Sequence, residues 1–511
     1  MKAWKNIVTT DVVVFVVLFL ALMAVGPSSL MHDPGVFWHL RVGNHVLETG
    51  TLIRTDTFSS TFPGKQWLAH AWLFDIVQAL IQRIDGFDTL LLATAASLAA
   101  LYAWVTRRLL HARLQPEAAI LVVTFTVAAT AYQFQPRPLV VTFAIFGWMY
   151  ARLVDFEAGR IPLVRMFWLV PAIVVWANVH GAVVGGVATI AICAAGWTLA
   201  PLLGWPSPIS SLRSLAAVCG LVAACIAALF VNPYGPLGSG LVRQWFSVVS
   251  SPEIARLMME HAPVSFSDPA SWFLVGFGAV FVAALIGVPW RRLRVTWLLP
   301  LVWLAMACSR VRHGPLFAMA AALALAEMFH EVRWIRWLTH HGSELLKPAV
   351  RAPDAPARRM ALPAALVGIC LVLEIARIDV PVIGHGWNRL DPDWWPVGML
   401  GDLHAYEQAR GPGAPVFNEM LFGGFLIYFT PGIGVFIDDR CELYGDARLA
   451  EYSRALAGDM TVFEQWGNQY GFDLALVLPG SPFDSYLRSS PDWELLRQSK
   501  AATLFRRRAA P

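Results

Sequence analysis

The segment DPGVFWHLRVGNHVLETGTLIRTDTFSSTFPGKQWLAHAW, Asp33–Trp72, gathers polar chemistry in a chain that has little of it elsewhere. Asp33, His39, Arg41, His45, Glu48, Asp56 and His70 stand here among tryptophans and phenylalanines. The surrounding 511-residue chain is 57% hydrophobic and only 14% charged. Its mean hydropathy is +0.55, and it carries 22 Trp and 30 Phe. Such a composition belongs to polytopic membrane proteins, whose apolar runs must cross about 30 Å of hydrocarbon. If the chain is an enzyme, its chemistry is expected at this segment.

The rest of the composition narrows the possibilities. A formal net charge of +4, spread over the loops, gives no nucleic-acid footprint. Of six cysteines, only Cys441 lies in a polar region, so neither a disulfide framework nor a cysteine-based metal spacing follows. Lys2 and Lys5 before an apolar run resemble a signal peptide. The run is long and lacks a small-residue cleavage site, so a retained first helix is expected.

Apolar runs lie at 11–31, 87–106, 116–132, 138–154, 165–179, 181–203, 213–231, 271–289, 295–309, 314–330 and 360–377. They predict about eleven transmembrane helices. With the N-terminus inside, the inner connections hold Arg107, Arg108 and Arg113, then Arg160 and Arg165, Arg213, Arg291, Arg292 and Arg294, and the basic connector 330–359. Every inner loop is then basic, as the positive-inside rule asks. The outer connections are the long loops 33–86 and 232–270 and the short motifs QFQPRP (133–138), WANVHG (176–181) and SRVRHG (309–314). Residues 68–86 are apolar on one face and read as an amphipathic helix lying in the interface. Two domains are expected: a transmembrane domain over 1–377 and a periplasmic α/β domain over 378–511. In the latter, APVFNE, GVFID, DLALVL and ATLFRR read as strands, and DARLAEYSRAL and SPFDSYLRS as helices.

Each polar motif has a chemical reading and a plain one. Asp33, at the end of a membrane helix, is placed to act as a general base, or it is a solvated Asp-Pro turn. Asp56 is a second acid of that loop, or a turn residue. Arg41 and His45 share a helix face and suit an anionic head group, as does His39 nearby; the plain reading is interfacial snorkelling. Arg137, set between Pro136 and Pro138, is a phosphate clamp or a turn anchor. Asn178 and His180 are costly near hydrocarbon unless they are paired or face water. Glu260 and His261, with Arg310 and Arg312, add one acid and three cationic or titratable groups on the outer side, where the charge rule disfavours arginine. Asp438, Asp439, Arg440, Glu442 and Tyr444 look like a paired-carboxylate site, but a polar turn after a buried strand gives the same string, and that plainer reading is preferred. There is no P-loop, zinc spacing, G-x-S-x-G or dinucleotide fingerprint.

The layout resembles the GT-C superfamily of integral-membrane glycosyltransferases that use polyprenyl-phosphate-linked sugars. The residues carrying the resemblance are D-x(4)-W-H-L-R-x-G at Asp33–Gly43, T-D-x-F-S at Thr55–Ser59, Trp67, and FGGFLIYF with VFIDDRCELYGD in 422–446. The resemblance implies a catalytic carboxylate at Asp33. It implies inverting transfer of a sugar from a lipid phosphate to a glycan, lipid or protein acceptor at a bacterial inner membrane. Arg41, Arg137, Arg310 and Arg312 would then hold the phosphate. Many such relatives carry a second acidic motif in the next outer loop; here that loop offers Gln135 and Arg137 and no acid. A divalent metal is therefore possible but not indicated, and Asp56 or Glu260 is left as the second acid. The rival expectation is a non-catalytic transporter or assembly factor for lipid-linked glycans, which would distribute polar residues through the spans.

Overall fold

Every apolar run named above is helical in the computed structural model, from Thr10–Ser29 to Ala361–Ile375. The structure describes residues 9–234, 239–350, 357–378 and 390–508. Lys2, Lys5, Arg351 and most of the join between the two expected domains lie outside these. Among the described residues, three helices are long and apolar enough to cross a membrane: Trp72–His111, Leu139–Glu157 and Val183–Leu203. The other runs give shorter apolar helices. The run 165–179, for instance, is a 3₁₀ turn, Leu163–Trp168, leading into the helix Leu169–Ala177. The expected interfacial helix and the span after it form one hydrogen-bonded run, Trp72–His111. It is broken at Asp85 and Gly86, where Gly86 takes φ 69°. The break falls at the boundary expected from the change in amphipathicity.

The centre of the bundle is the helix Gly314–Met328, GPLFAMAAALALAEM, buried along nearly its whole length. Its alanines let neighbouring helices approach closely, the usual device where no water drives helices together. The connections sort by charge. Arg108 pairs with Asp155 at 2.7 Å, and Arg160 pairs with Glu327 at 2.7 Å, at one end of the bundle. The other end of the 19-residue helix Leu139–Glu157 begins beside Arg137. At 1.5 Å per residue these ends are about 28 Å apart, close to a hydrocarbon thickness.

The C-terminal region carries a five-stranded mixed sheet in the order β2-β1-β3-β5-β4. The strands are β1 (Ala414–Asn418), β2 (Ile433–Val435), β3 (Leu474–Val477), β4 (Trp493–Gln498) and β5 (Thr503–Arg507). The pairs β1–β2 and β1–β3 are parallel, and β5 is antiparallel to β3 and β4. The expectation missed β4, which exposes most of its side chains and so lacks a clear alternating pattern. GVFID is strand only as far as Val435. Helices Leu400–Arg410, Met420–Phe429 and Met460–Tyr470 were also not expected.

The sheet is bound to the first loop rather than tethered beside it. Ser60 N–H donates to Val435 O (2.9 Å) and Val435 N–H to Phe58 O (3.1 Å), so residues 58–60 extend the β2 edge. Gly424 explains the FGGF string: a methyl group there would overlap the Pro34 carbonyl. The helix Met420–Phe429 therefore lies directly on the Asp33–Pro34 turn.

Candidate functional site

The helix Gly35–Thr49 carries Trp38 and His39 and packs against the helix beginning at Trp72. Gly43 permits this, because a methyl group there would overlap the Asp75 carbonyl oxygen. The close approach brings His39 Nδ1 to 2.6 Å from Asp75 Oδ1. The other Asp75 oxygen is buried without a hydrogen-bond partner. With Nδ1 engaged, Nε2 is the nitrogen left for the cavity that His39 lines. Burial lowers the His39 pKa to about 3, helped by Arg137 and opposed by Asp33 and Glu442, so the ring is neutral near pH 7.

That cavity holds about 560 Å³. One part of its wall is polar and comes from separate connections: Arg137, His180, Glu260 and His261, then Arg310 and Arg312. Another part is apolar, with Val184, Ile192, Leu299, Val302 and Met306. Asp33 sits just behind the polar part. It accepts from Arg137 Nη1 at 2.7 Å and from the Gly35 N–H at 2.8 Å. Arg137 Nη1 also lies 3.5 Å from Glu260 Oε2, and Arg312 Nη1 lies 3.5 Å from Glu260 Oε1. Burial alone would raise the Glu260 pKa; Arg312 and Arg137 outweigh it and bring it down to about 2. His261 is held to about 3, first by burial and then by Arg312. It contacts Arg312 through Nε2, and its Nδ1 lies 3.4 Å from Arg310. Arg310 otherwise donates to the Val249 carbonyl (2.9 Å) and has no carboxylate partner among the described residues.

The turn after β2 closes the cavity. Asp439 accepts from Trp38 Nε1 (2.9 Å), and Glu442 accepts from Trp67 Nε1 (2.9 Å). Both acids line the cavity, as does His70. Burial, then the nearby Asp33 and Asp438 carboxylates, push the Asp439 pKa well above the usual range. The signal was present in the sequence, as two adjacent acids before an arginine, but only the fold aims Asp438 at Arg440 and Asp439 toward the cavity.

Asp56 lies elsewhere. It is 1% exposed and accepts from Ser59 N–H (3.0 Å) and Arg440 Nη1 (2.7 Å). Arg440 is itself fully buried, bonded to Asp438 (2.6 Å), with its guanidinium 4.6 Å from the Trp67 ring centre. Asp56 is thus the counter-ion of a buried arginine and does not reach the cavity. Asn178 takes the packing role: it bonds the Val174 and Val231 carbonyls (2.8 and 2.9 Å) and accepts from Trp72 Nε1 (2.9 Å). His45 sits on the far side of its helix, 3.4 Å from Thr51 Oγ1, and Arg41 does not line the cavity either. The i,i+4 spacing correctly put Arg41 and His45 on one face, but that face points away from the arginines.

No family model matches the chain, and no curated protein does. Solved structures do. The oligosaccharyltransferase of Archaeoglobus fulgidus, tethered with an acceptor peptide, aligns over 91% of this chain and 68% of its own, with 13% identity and a TM-score of 0.51. AglB from the same organism, in complex with an inhibitory peptide and a dolichol-phosphate, gives 0.51 at 13% identity over 91% and 69%. ArnT from Cupriavidus metallidurans bound to undecaprenyl phosphate aligns over 97% of both chains, with 13% identity and a TM-score of 0.50.

The chain is similar in fold to the GT-C glycosyltransferases AglB and ArnT.

At this identity the likeness carries the fold alone, so chemistry must come from the residues of this chain. What they make is a pocket lined by Arg137, Arg310, Arg312 and Arg440 and by apolar side chains, with His39 bonded to Asp75.

Proposed function

We propose that this GT-C-fold protein transfers a sugar from a polyprenyl-phosphate donor to an acceptor at the outer face of a bacterial inner membrane. One observation carries the reading: Arg137, Arg310 and Arg312 line one cavity together with the apolar Val184, Ile192, Leu299, Val302 and Met306. A lipid phosphate has this make-up, with an anion on one side and a hydrocarbon chain on the other. Arginines aimed at the phosphate neutralise the charge that grows on it as the glycosidic bond breaks. The relatives that hold undecaprenyl phosphate and dolichol-phosphate support the same donor class.

Asp33 was expected as the base that deprotonates the acceptor. Its oxygens are engaged by Arg137 and the Gly35 N–H, which suits it to fixing Arg137 in place. His39 lines the cavity and is bonded to Asp75; the reading takes the acceptor's proton in at Nε2 and moves the Nδ1 proton on to Asp75, because the imidazole alone holds a proton only weakly. The sugar's anomeric carbon then exchanges its phosphate oxygen for the acceptor oxygen with inversion, and the lipid phosphate leaves. About eleven spans, an inner N-terminus, a membrane unit to residue 377 and a periplasmic unit from 378 complete the proposal.

The test is consumption of polyprenyl-phosphate monosaccharides by the purified protein, with membrane extract as acceptor. Turnover that His39→Gln abolishes and Asp33→Asn weakens supports both assignments. Turnover lost only in Asp33→Asn returns the proton to Asp33. Donor binding without turnover moves the protein to a non-catalytic role in lipid-linked glycan transport or assembly.

A further inference from the structure

We propose that Arg137 is the resident cation of this site, holding the place between two carboxylates that a divalent metal would otherwise take, so that the phosphate is bound without metal. Asp33 and Glu260 come from connections far apart in sequence and converge on one nitrogen, Nη1, at 2.7 and 3.5 Å. Two acids this close repel unless a positive charge sits with them. Here that charge is covalently part of the chain.

The placement is rigid. Pro136 and Pro138 flank Arg137, its N–H bonds the Gln135 carbonyl (2.7 Å), and Gln78 Nε2 holds the Pro136 carbonyl (3.2 Å). Burial works against the charged form, but Asp33 and Glu260 more than compensate, so the guanidinium stays protonated. Both bonds use one nitrogen; among the described residues the others have no protein partner, and Arg137 lines the cavity. A planar group with spare donors suits a phosphate.

The donor set does not fit a metal. A hard divalent ion takes several oxygen ligands at close range. Among the described residues no group of three or more His, Cys, Asp or Glu could hold one. A divalent ion between Asp33 and Glu260 would have to displace the guanidinium or sit against it.

The inference rests on the lipid-phosphate reading for its consequence but not for its test. Full-length protein in nanodiscs is titrated with Mn²⁺ and followed by electron paramagnetic resonance, for wild type and Asp33→Asn. Wild type is expected to bind no stoichiometric Mn²⁺. One bound Mn²⁺ that Asp33→Asn removes overturns the proposal, whatever the lipid does. In a second arm, binding of undecaprenyl phosphate is measured with and without EDTA. Affinity indifferent to EDTA and about tenfold or more weaker in Arg137→Gln, with Arg137→Lys between them, is expected. Affinity that EDTA destroys, or that Arg137→Gln leaves unchanged, overturns the role of Arg137. Wild type that binds neither Mn²⁺ nor lipid phosphate leaves Arg137 as the cation and sinks the donor reading instead.

Discussion

Arg440 shows how much a single side chain can hold. It is fully buried between Asp56 and Asp438 and braced by aromatic rings. Removing one member of a buried ion pair strands the others, at about 3–5 kcal/mol. Arg440→Met should therefore lower the melting temperature sharply, measured by intrinsic tryptophan fluorescence on heating; a shift within error would show that the pair contributes little. The histidines set a second expectation. His39 and His261 titrate near 3 in the folded protein, against an ordinary 6.5. Between these values each histidine binds more protons in the unfolded chain, so its contribution to stability declines as pH falls below 6.5. Each group contributes at most about 1.4 kcal/mol per pH unit in that window. Asp439, raised by burial, titrates with the opposite sign, so the test is a difference: between pH 7.5 and 5 the melting temperature of wild type should drop more, or rise less, than that of His261→Gln.

At the scale of elements, small residues decide which helices meet. Gly43 lets the helix Gly35–Thr49 lie against Asp75, and without that contact His39 has no brace. Gly43→Leu should cost about 1–3 kcal/mol from overpacking and separate the two helices. Gly220 is a useful contrast, being helical at a position where an added methyl group would meet nothing within 4 Å. Gly220→Ala should leave stability unchanged or raise it by about 0.5–1 kcal/mol through reduced chain entropy. Denaturation of the two variants side by side checks this; equal losses would refute the close-approach argument.

At the scale of the molecule, the first outer loop and the C-terminal sheet form one structure. Residues 58–60 pair with Val435, Lys65 donates to the Leu443 carbonyl (2.5 Å), and Trp395 Nε1 donates to the Met31 carbonyl (2.7 Å). A chain ended before residue 390 should lose amide protection in 56–62, read by hydrogen exchange; unchanged protection would show that the loop is ordered by itself. The cavity closes through the same contact, since Asp439 and Glu442 come from the C-terminal region.

The sequence alone determined the helical runs, because their apolar length is a local property that water and lipid read directly. It also determined that Asp33, His39, Arg137, His180, Glu260, His261, Arg310 and Arg312 lie at one end of the bundle, because connections alternate between the ends. Direction within that end was beyond it. His39 and His45 sit on the same helix, yet only the contact at Gly43 tells which one meets the arginines. Asp56 and Asp439 look equally acidic in the sequence, and burial against Arg440 makes one a counter-ion while the turn after β2 places the other in the cavity. Such choices depend on which distant side chain fills the neighbouring space, and that is set only when the helices and the sheet have packed.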